Sequence, residues 1–197
     1  MREKKCKPAL LWLAGLVFRV TPPTRLFRLK CILLSISGVD IKPSVRLCSS
    51  VKIAISGHLE IGAETFIGHE VLITGGDSRI RVGNAVDIGP RVCIVSGTHH
   101  VDMVGERSAG EGISKDITIE DGVWIGTGAT ILGGVTVGRK SVIAAGSVVN
   151  ESIPSFVIAA GVPCRPIRQW DPHSNAWDTV ASHEEAAEVQ CALCRPR

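Results

Sequence analysis

Aliphatic side chains recur at every sixth residue over much of this 197-residue chain, and this period constrains the fold more than any other feature. The positions are Ile55, Ile61, Ile67 and Ile73, then Val82, Ile88 and Ile94, then Ile119, Ile125, Ile131, Val137, Ile143 and Val149. A second series of small or branched residues lies four positions further on, at Thr65, Val71, Val86, Val92, Val123, Ala129, Val135, Ser141 and Ser147. A period of six matches neither a helix nor a simple two-faced strand.

Six residues suffice for a short strand and a corner, so every sixth side chain points to the same interior line. One hexapeptide cannot bury its aliphatic residue alone, whereas stacked coils bury these residues in a continuous column. With three hexapeptides per coil, residues 41–153 form about five coils and stand about 24 Å tall at the inter-strand spacing. The period therefore predicts an all-β protein built as a parallel β-helix.

Composition agrees with a narrow stacked prism. Aromatic residues make up only 4% of the chain, Tyr is absent, and Gly occurs 21 times. A narrow interior has no room for large rings. Many glycines directly follow a ladder position, as Gly62 and Gly126 do, and we expect them to permit the corner conformations.

Residues 1–38 precede the repeat and are predicted to form a helical arm. The first helix should cover Ala9–Val20 and end before the Pro22-Pro23 pair. A second helix should begin at Thr24, a suitable N-cap, and run to about Ser37. Its leucines, which would share one side, are Leu26, Leu29 and Leu33.

Charge is distributed unevenly along the chain. The net charge of +3, from 22 basic and 19 acidic residues, is too small to indicate nucleic-acid binding. Residues 1–31 nevertheless hold eight cations and one carboxylate, that of Glu3. The apolar run Ala9–Phe18 is too short to span a membrane. Two interpretations of residues 1–37 stay open: peripheral contact with an anionic membrane, or packing on the rest of the protein or a partner subunit.

The seven cysteines are odd in number and scattered, which favours a reduced, cytoplasmic setting. The Cys191–Cys194 pair is a lone CxxC and does not make a zinc site by itself. These two thiols belong to a C-terminal tail, residues 171–197, that leaves the repeat. A short helix is expected there at Glu184–Cys191.

The ladder is interrupted between Ile94 and Ile119, and residues 95–116 are predicted to leave the coil as a loop. Insertions of this length in a compact repeat are usually functional or disordered. Two adjacent histidines, His99 and His100, lie at its start. Histidine is the usual general base near neutral pH, so this loop is the candidate for catalysis.

Three segments carry a family resemblance. They are Ile117-Thr-Ile-Glu-Asp-Gly-Val-Trp-Ile-Gly126, Ser141-Val-Ile-Ala-Ala-Gly-Ser-Val-Val149 and Ala159-Ala-Gly-Val-Pro-Cys-Arg-Pro-Ile-Arg168. With the ladder, they resemble the hexapeptide-repeat acyltransferases. Asp87–Trp170 is similar to the maltose, galactoside and nodulation-type sugar O-acetyltransferases. The resemblance implies a left-handed coil over residues 39–170, acetyl-CoA as acyl donor and a homotrimer.

The same resemblance implies roles for individual residues. His99 matches the catalytic base, which would take the proton from an acceptor hydroxyl as that oxygen attacks the thioester, while backbone N–H groups hold the oxyanion. Glu111 matches a loop carboxylate near the base, and Asp102 and Asp77 are weaker candidates of that kind. Where family members place an acceptor-binding Asn, this chain has Gly68 followed by His69. The candidate substrate-binding residues are His69, Asp77 and Asp102.

Cofactor positions are implied in the same way. The residues that match the groove for the pantetheine arm and the phosphates of coenzyme A are Trp124, Thr127, Ala145, Gly146, Arg165 and Arg168. Arg suits this role because its planar fork binds phosphate with two hydrogen bonds. Asn150-Glu151 stands where members often carry Thr-Lys, so one cationic contact is expected to be missing.

The sequence thus predicts an acetyl-CoA-dependent O-acetyltransferase of a saccharide, such as a surface polysaccharide or its precursor. Its location would be cytoplasmic, or peripheral at the inner face of the membrane. Xenobiotic or serine acetyltransferases are alternatives within the class, and a non-catalytic β-helix scaffold is one outside it. A metal enzyme on this coil would need converging His ligands, and His58, His69 and His99 are too widely spaced to match, so no metal is expected.

Overall fold

The computed structural model describes residues 4–180, and the repeat forms a parallel β-helix with three faces. The first face contains β1 (Asp40–Ile41), β4 (His58–Ile61), β7 (Arg79–Val82), β12 (Ile117–Ile119) and β15 (Thr136–Val137). The second contains β2 (Arg46–Leu47), β5 (Phe66–Ile67), β8 (Asp87–Ile88), β13 (Trp124–Ile125), β16 (Val142–Ile143) and β18 (Val157–Ala160). The third contains β3 (Lys52–Ile55), β6 (Leu72–Gly75), β9 (Cys93–Val95), β14 (Thr130–Leu132) and β17 (Val148–Val149).

Strands of successive coils pair in parallel on each face. Ile119 lies beside Val137, and Ile125 lies beside Ile143. Every ladder position is at most 2% exposed, and the second series of small residues is also buried. Burial of one such aliphatic side chain contributes about 1.5–3 kcal/mol. The parallel β-helix that the period predicts is therefore confirmed.

The polar members of the second series are buried with hydrogen-bond partners. The Thr65 hydroxyl donates to the Gly83 carbonyl at 2.8 Å, and the Ser141 hydroxyl donates to the Pro154 carbonyl at 2.6 Å. A buried hydroxyl without a partner would be destabilising. These bonds tie each corner to the next coil.

The ladder glycines serve a different purpose from the one expected. A Cβ added at Gly62 would lie 2.4 Å from the Gly83 carbonyl oxygen, and one at Gly126 would lie 2.6 Å from the Ala145 nitrogen. These positions lack a side chain because the neighbouring coil passes too close. The left-handed corner conformation occurs instead two residues later, for example at Glu64 with φ of 58°.

Two helices precede the coil. Helix α1 covers Pro8–Arg19, with Pro in its first turn where no N–H is needed, and packs on β3. Helix α2 covers Phe27–Ile36 and packs on β1 and β2. The start predicted at Thr24 is wrong, because residues 22–26 form a turn and Leu26 is left-handed. Within residues 4–180, no helix is both long and apolar enough to cross a membrane.

The leucine side of α2 is not the side that faces the coil. Leu26 and Leu29 are exposed and Leu33 is only partly buried, whereas Lys30, Cys31 and Leu34 are buried. The Lys30 ammonium group sets this orientation by donating to the carbonyls of Pro22, Pro23 and Leu47 at 3.1–3.4 Å. Burial lowers the pKa of Lys30. The hydrophobic pattern of the sequence does not identify the buried side of α2, because that side contains a lysine.

The second face continues beyond the last predicted coil. Strand β19 (Arg165–Asp171) runs antiparallel to β18, and β20 (Ala176–Thr179) runs antiparallel to β19. The rings of Trp170 and Trp177 meet edge to face, 5.3 Å apart. Part of the segment assigned to the tail, residues 171–197, therefore extends this sheet. The helix expected at 184–191 and the Cys191–Cys194 pair lie outside the described residues.

Candidate functional site

The interruption in the ladder is a β-hairpin that stands at the edge between the third and first faces. It consists of β10 (Gly97–Val101) and β11 (Ala109–Ser114), and is called the His99 hairpin below. Its base is fixed to the coil beneath: the Gly76 N–H donates to Ser114 Oγ at 3.2 Å, and the Arg79 N–H donates to Asp116 Oδ1 at 2.7 Å. These residues leave the coil and form regular structure.

His99 is exposed on β10, and its ring is held from one side. Nδ1 lies 2.9 Å from the carbonyl oxygen of Gly110 on the opposite strand. A carbonyl oxygen can only accept a hydrogen bond, so this contact assigns the proton to Nδ1. Nε2 then keeps its lone pair and can accept a proton from a bound hydroxyl. An imidazole held in this way can serve as a general base.

Two carboxylates lie in the same hairpin. Glu111 is exposed and follows Gly110 directly, so it stands one residue beyond the group that contacts the imidazole. Asp102 Oδ1 accepts hydrogen bonds from the N–H groups of Val104 and Gly105, both at 2.9 Å. The Gly105 and Val104 N–H groups lower the pKa of Asp102. Asp102 therefore shapes the turn that joins the two strands.

Asp77 and His69, the other predicted acceptor contacts, lie at different edges. Asp77 lies between β6 and β7, on the edge of the prism from which the His99 hairpin also projects. Its carboxylate pairs with Lys5 of the arm at 2.7 Å. The hydrogen bond from Lys5 lowers the pKa of Asp77. His69 lies between β5 and β6, at the edge of the second and third faces, where its Nδ1 is 3.3 Å from Ser50 Oγ.

The residues expected to contact coenzyme A cluster on the second face and its edge with the third. Trp124 lies on β13 with 58% of its surface exposed. Thr127 and Gly146 stack at this edge, where the Gly146 N–H donates to the Thr127 carbonyl at 2.9 Å, and Ala145 lies beside them. All three are exposed, and this edge is called the Thr127 edge below.

Two arginines on β19 extend the same region. Arg168 is exposed opposite Ile158 of β18. Arg165 is only partly exposed, and its guanidinium group donates to Glu151 Oε1 at 2.7 Å and to Asn150 Oδ1 at 3.1 Å. The sequence indicated that Asn150-Glu151 departs from the family pattern, but it did not reveal that Glu151 binds Arg165. The pairing arises because the chain turns back antiparallel after β18.

One chain does not bring the His99 hairpin and the Thr127 edge together. The third face lies between them, a width of about 15–20 Å for five or six extended residues. A complete site that uses both groups requires a second copy of the chain. Within residues 4–180, no three His, Cys, Asp or Glu side chains are arranged to hold a metal ion.

Comparison with known proteins places these features in context. Residues 116–151 match the family model of the bacterial transferase hexapeptide (six repeats). A galactoside O-acetyltransferase of Escherichia coli K12 is 40% identical over 119 residues, which is 60% of this chain and 58% of that protein. A serine acetyltransferase of Bacillus subtilis 168 is 35% identical over 152 residues, 74% of this chain and 67% of that protein.

A solved structure shows the same architecture. It is a hexapeptide-repeat-containing acetyltransferase from Vibrio cholerae O1 biovar eltor, complexed with acetyl coenzyme A. It superposes with a TM-score of 0.64 and 29% identity over 83% of this chain and 87% of that one. Such neighbours imply that the coil of this chain is left-handed.

The chain spans about half the length of several curated relatives that it matches. The match to the Bacillus subtilis protein covers two thirds of that relative, and the match to the Vibrio cholerae structure covers most of both chains. The chain therefore belongs to the hexapeptide-repeat acyltransferase family.

Proposed function

We propose that the protein is an acetyl-CoA-dependent O-acetyltransferase that acts on a hydroxyl group of a saccharide, such as a surface polysaccharide or its precursor. The observation that carries this proposal is the His99 imidazole, whose Nδ1 is occupied by the Gly110 carbonyl and whose Nε2 is available. The saccharide acceptor is supported by similarity to a galactoside O-acetyltransferase.

His99 acts as the general base in this mechanism. Acetyl-CoA supplies the acetyl group as a thioester. His99 Nε2 takes the proton from the acceptor hydroxyl as that oxygen attacks the thioester carbonyl carbon, and returns the proton to the departing sulfur. The Gly110 carbonyl stabilises the imidazolium because it accepts a hydrogen bond from Nδ1–H throughout. Glu111, one residue away, would add a negative charge near this cation.

The Thr127 edge and β19 fit the donor. Thr127, Ala145 and Gly146 offer a low, exposed strip along which a flexible arm can lie. Trp124 presents an exposed ring on the adjoining face. Arg168 and Arg165 provide cations for phosphate, although Glu151 already neutralises Arg165. His69 lies at the same edge as Thr127, in a coil nearer the N-terminus. Asp77 lies at the edge of the hairpin, also in a coil nearer the N-terminus. Both residues are proposed to contact the acceptor.

We further propose that the active assembly is a homotrimer. The His99 hairpin and the Thr127 edge are separated by the third face, so the base of one copy would act on the donor held by its neighbour. A closed ring of three copies gives every copy the same environment and forms three complete sites. The proposed location is the cytoplasm, because the free thiols of Cys6, Cys31, Cys48, Cys93 and Cys164 fit a reducing compartment.

A serine O-acetyltransferase is the second candidate. The Bacillus subtilis relative matches a longer stretch of this chain than the galactoside enzyme does. The base and the donor site would be the same, and only the acceptor would differ. Release of coenzyme A with serine, and none with sugars, would favour this candidate.

The test is an assay of acetyl transfer by the purified protein. The release of free coenzyme A is measured with a panel of acceptors that contains glycans, simple sugars and serine. His99→Ala should lower kcat at least a hundredfold, as expected when a general base is removed, and should leave the Kd for coenzyme A unchanged. His100→Ala is the matched control, since His100 is the exposed neighbour and should retain activity. Full activity in the His99 variant would overturn the assigned base, and no transfer to any acceptor would overturn the function.

A further inference from the structure

Helix α1 carries two apolar stripes. Its buried stripe consists of Leu11, Ala14 and Phe18, which pack on the coil. A second stripe lies on the opposite side at 3.6 residues per turn, and two of its members, Trp12 and Leu16, border an open cleft between this helix and Ile53 of β3. The members of this stripe, between 38% and 84% exposed, are Trp12, Leu13, Leu16, Val17 and Val20. A helix that is apolar on both sides normally has a partner on both sides.

Helix α2 repeats this arrangement. Lys30, Cys31 and Leu34 face the first strands of the coil, β1 and β2. The opposite side presents Leu29, Ile32 and Ile36, all exposed. Because α2 packs on the first coil, its outer side faces away from the β-helix. These two outward stripes together are called the outer arm face below.

The arm that carries this face is rich in cations. Residues 4–38 contain seven Lys and Arg and not one Asp or Glu. Lys4, Lys7, Arg19, Arg25 and Arg28 are exposed, and no carboxylate of the described residues forms an ion pair with them. The arm therefore combines an exposed apolar surface with a charge of one sign, whereas the rest of the chain is net acidic, with 15 basic and 19 acidic residues.

We propose that the outer arm face binds the surface of an anionic membrane, with its apolar stripes in the headgroup region and its cations on the lipid phosphates. Interfacial helices have this composition, with Trp and Leu toward the lipid and Lys or Arg beside them. Each cation near an anionic leaflet strengthens binding about fivefold. Contact with a second copy through the same face is disfavoured, because it would bring like charges together.

The experiment is flotation of the full-length protein with vesicles of phosphatidylcholine alone or with about 30% phosphatidylglycerol, an anionic fraction that attracts basic segments. The protein should float with the anionic vesicles only, and the bound fraction should fall as salt rises. Trp12→Gln with Leu16→Gln should lower binding at least tenfold. Met103→Gln with Val104→Gln replaces two even more exposed apolar residues in the turn of the His99 hairpin and should leave binding unchanged.

A charge pair provides the second test. Arg25→Gln with Arg28→Gln should weaken binding by about 25-fold, at about fivefold for each cation. Arg107→Gln with Lys140→Gln removes two cations outside the arm and should have little effect. Circular dichroism and the unfolding midpoint check that each variant is folded. Absence of binding to anionic vesicles, or equal binding by the arm variants and wild type, would overturn the proposal.

Light scattering identifies the competing occupant. If the wild-type protein fails to bind vesicles but forms a larger assembly than the Trp12→Gln, Leu16→Gln variant does, the outer arm face joins copies of the chain. That result also overturns the membrane proposal.

Discussion

At the scale of single residues, the hydrogen bond between His99 and the Gly110 carbonyl decides which nitrogen can accept a proton. The interruption in the ladder indicated the two adjacent histidines, and the family resemblance selected His99 as the candidate base. The sequence could not identify the carbonyl, because a main-chain acceptor has no residue signature and depends on the register of the hairpin. It pointed instead to nearby carboxylates, of which Asp102 shapes the turn.

Glu151 is the residue we expect to weaken donor binding. It holds the Arg165 guanidinium group at 2.7 Å, and this pair is largely exposed. Glu151→Gln removes the competing charge, so coenzyme A should bind about two- to fivefold more tightly, the range of an exposed ion pair. Isothermal titration with coenzyme A measures the Kd. Glu64→Gln, which removes an exposed carboxylate elsewhere, should leave the Kd unchanged, and unchanged or weaker binding in the Glu151 variant would contradict this role.

At the scale of elements, the six-residue period predicts the strands of the coil. The sequence also predicts two helices, but not the start or the orientation of the second. The period fixes which side chains point inward, and all of them do. The orientation of α2 could not be predicted, because a lysine that reaches three carbonyls lies on its buried side. The sequence shows where the ladder glycines occur. Glycine is required there because neighbouring coils approach too closely for a side chain.

This close approach makes a direct prediction about stability. Gly62→Ala would place a methyl group against the Gly83 carbonyl and the Asn84 nitrogen. The coils must separate locally, so the free energy of unfolding should fall by about 1–3 kcal/mol. Gly15→Ala is the control: it lies inside α1 with no atom within 4 Å of the added methyl, and it should stabilise the protein by up to about 1 kcal/mol. Urea unfolding measures both, and equal stability of the Gly62 variant and wild type would refute the packing argument.

At the scale of the whole molecule, the predicted site residues divide between two edges of the prism. The three faces keep the same order through the insertions at residues 76–78 and 95–116, so counting hexapeptides assigns each residue to its edge. In the folded coil, β14 and its neighbours on the third face separate His99 from Thr127. The proposed activity therefore depends on the assembly as much as on the single chain.

The most direct test of this account is complementation between two inactive variants. His99→Ala removes the base, and Ala145→Trp blocks the exposed strip at the Thr127 edge. Each variant alone should be inactive, whereas trimers assembled from an equal mixture should recover about a quarter of wild-type activity, since one site in four combines an intact hairpin with an intact edge from its neighbour. If mixed trimers form and no activity returns, the base and the donor site belong to the same copy, and the proposed shared site is wrong.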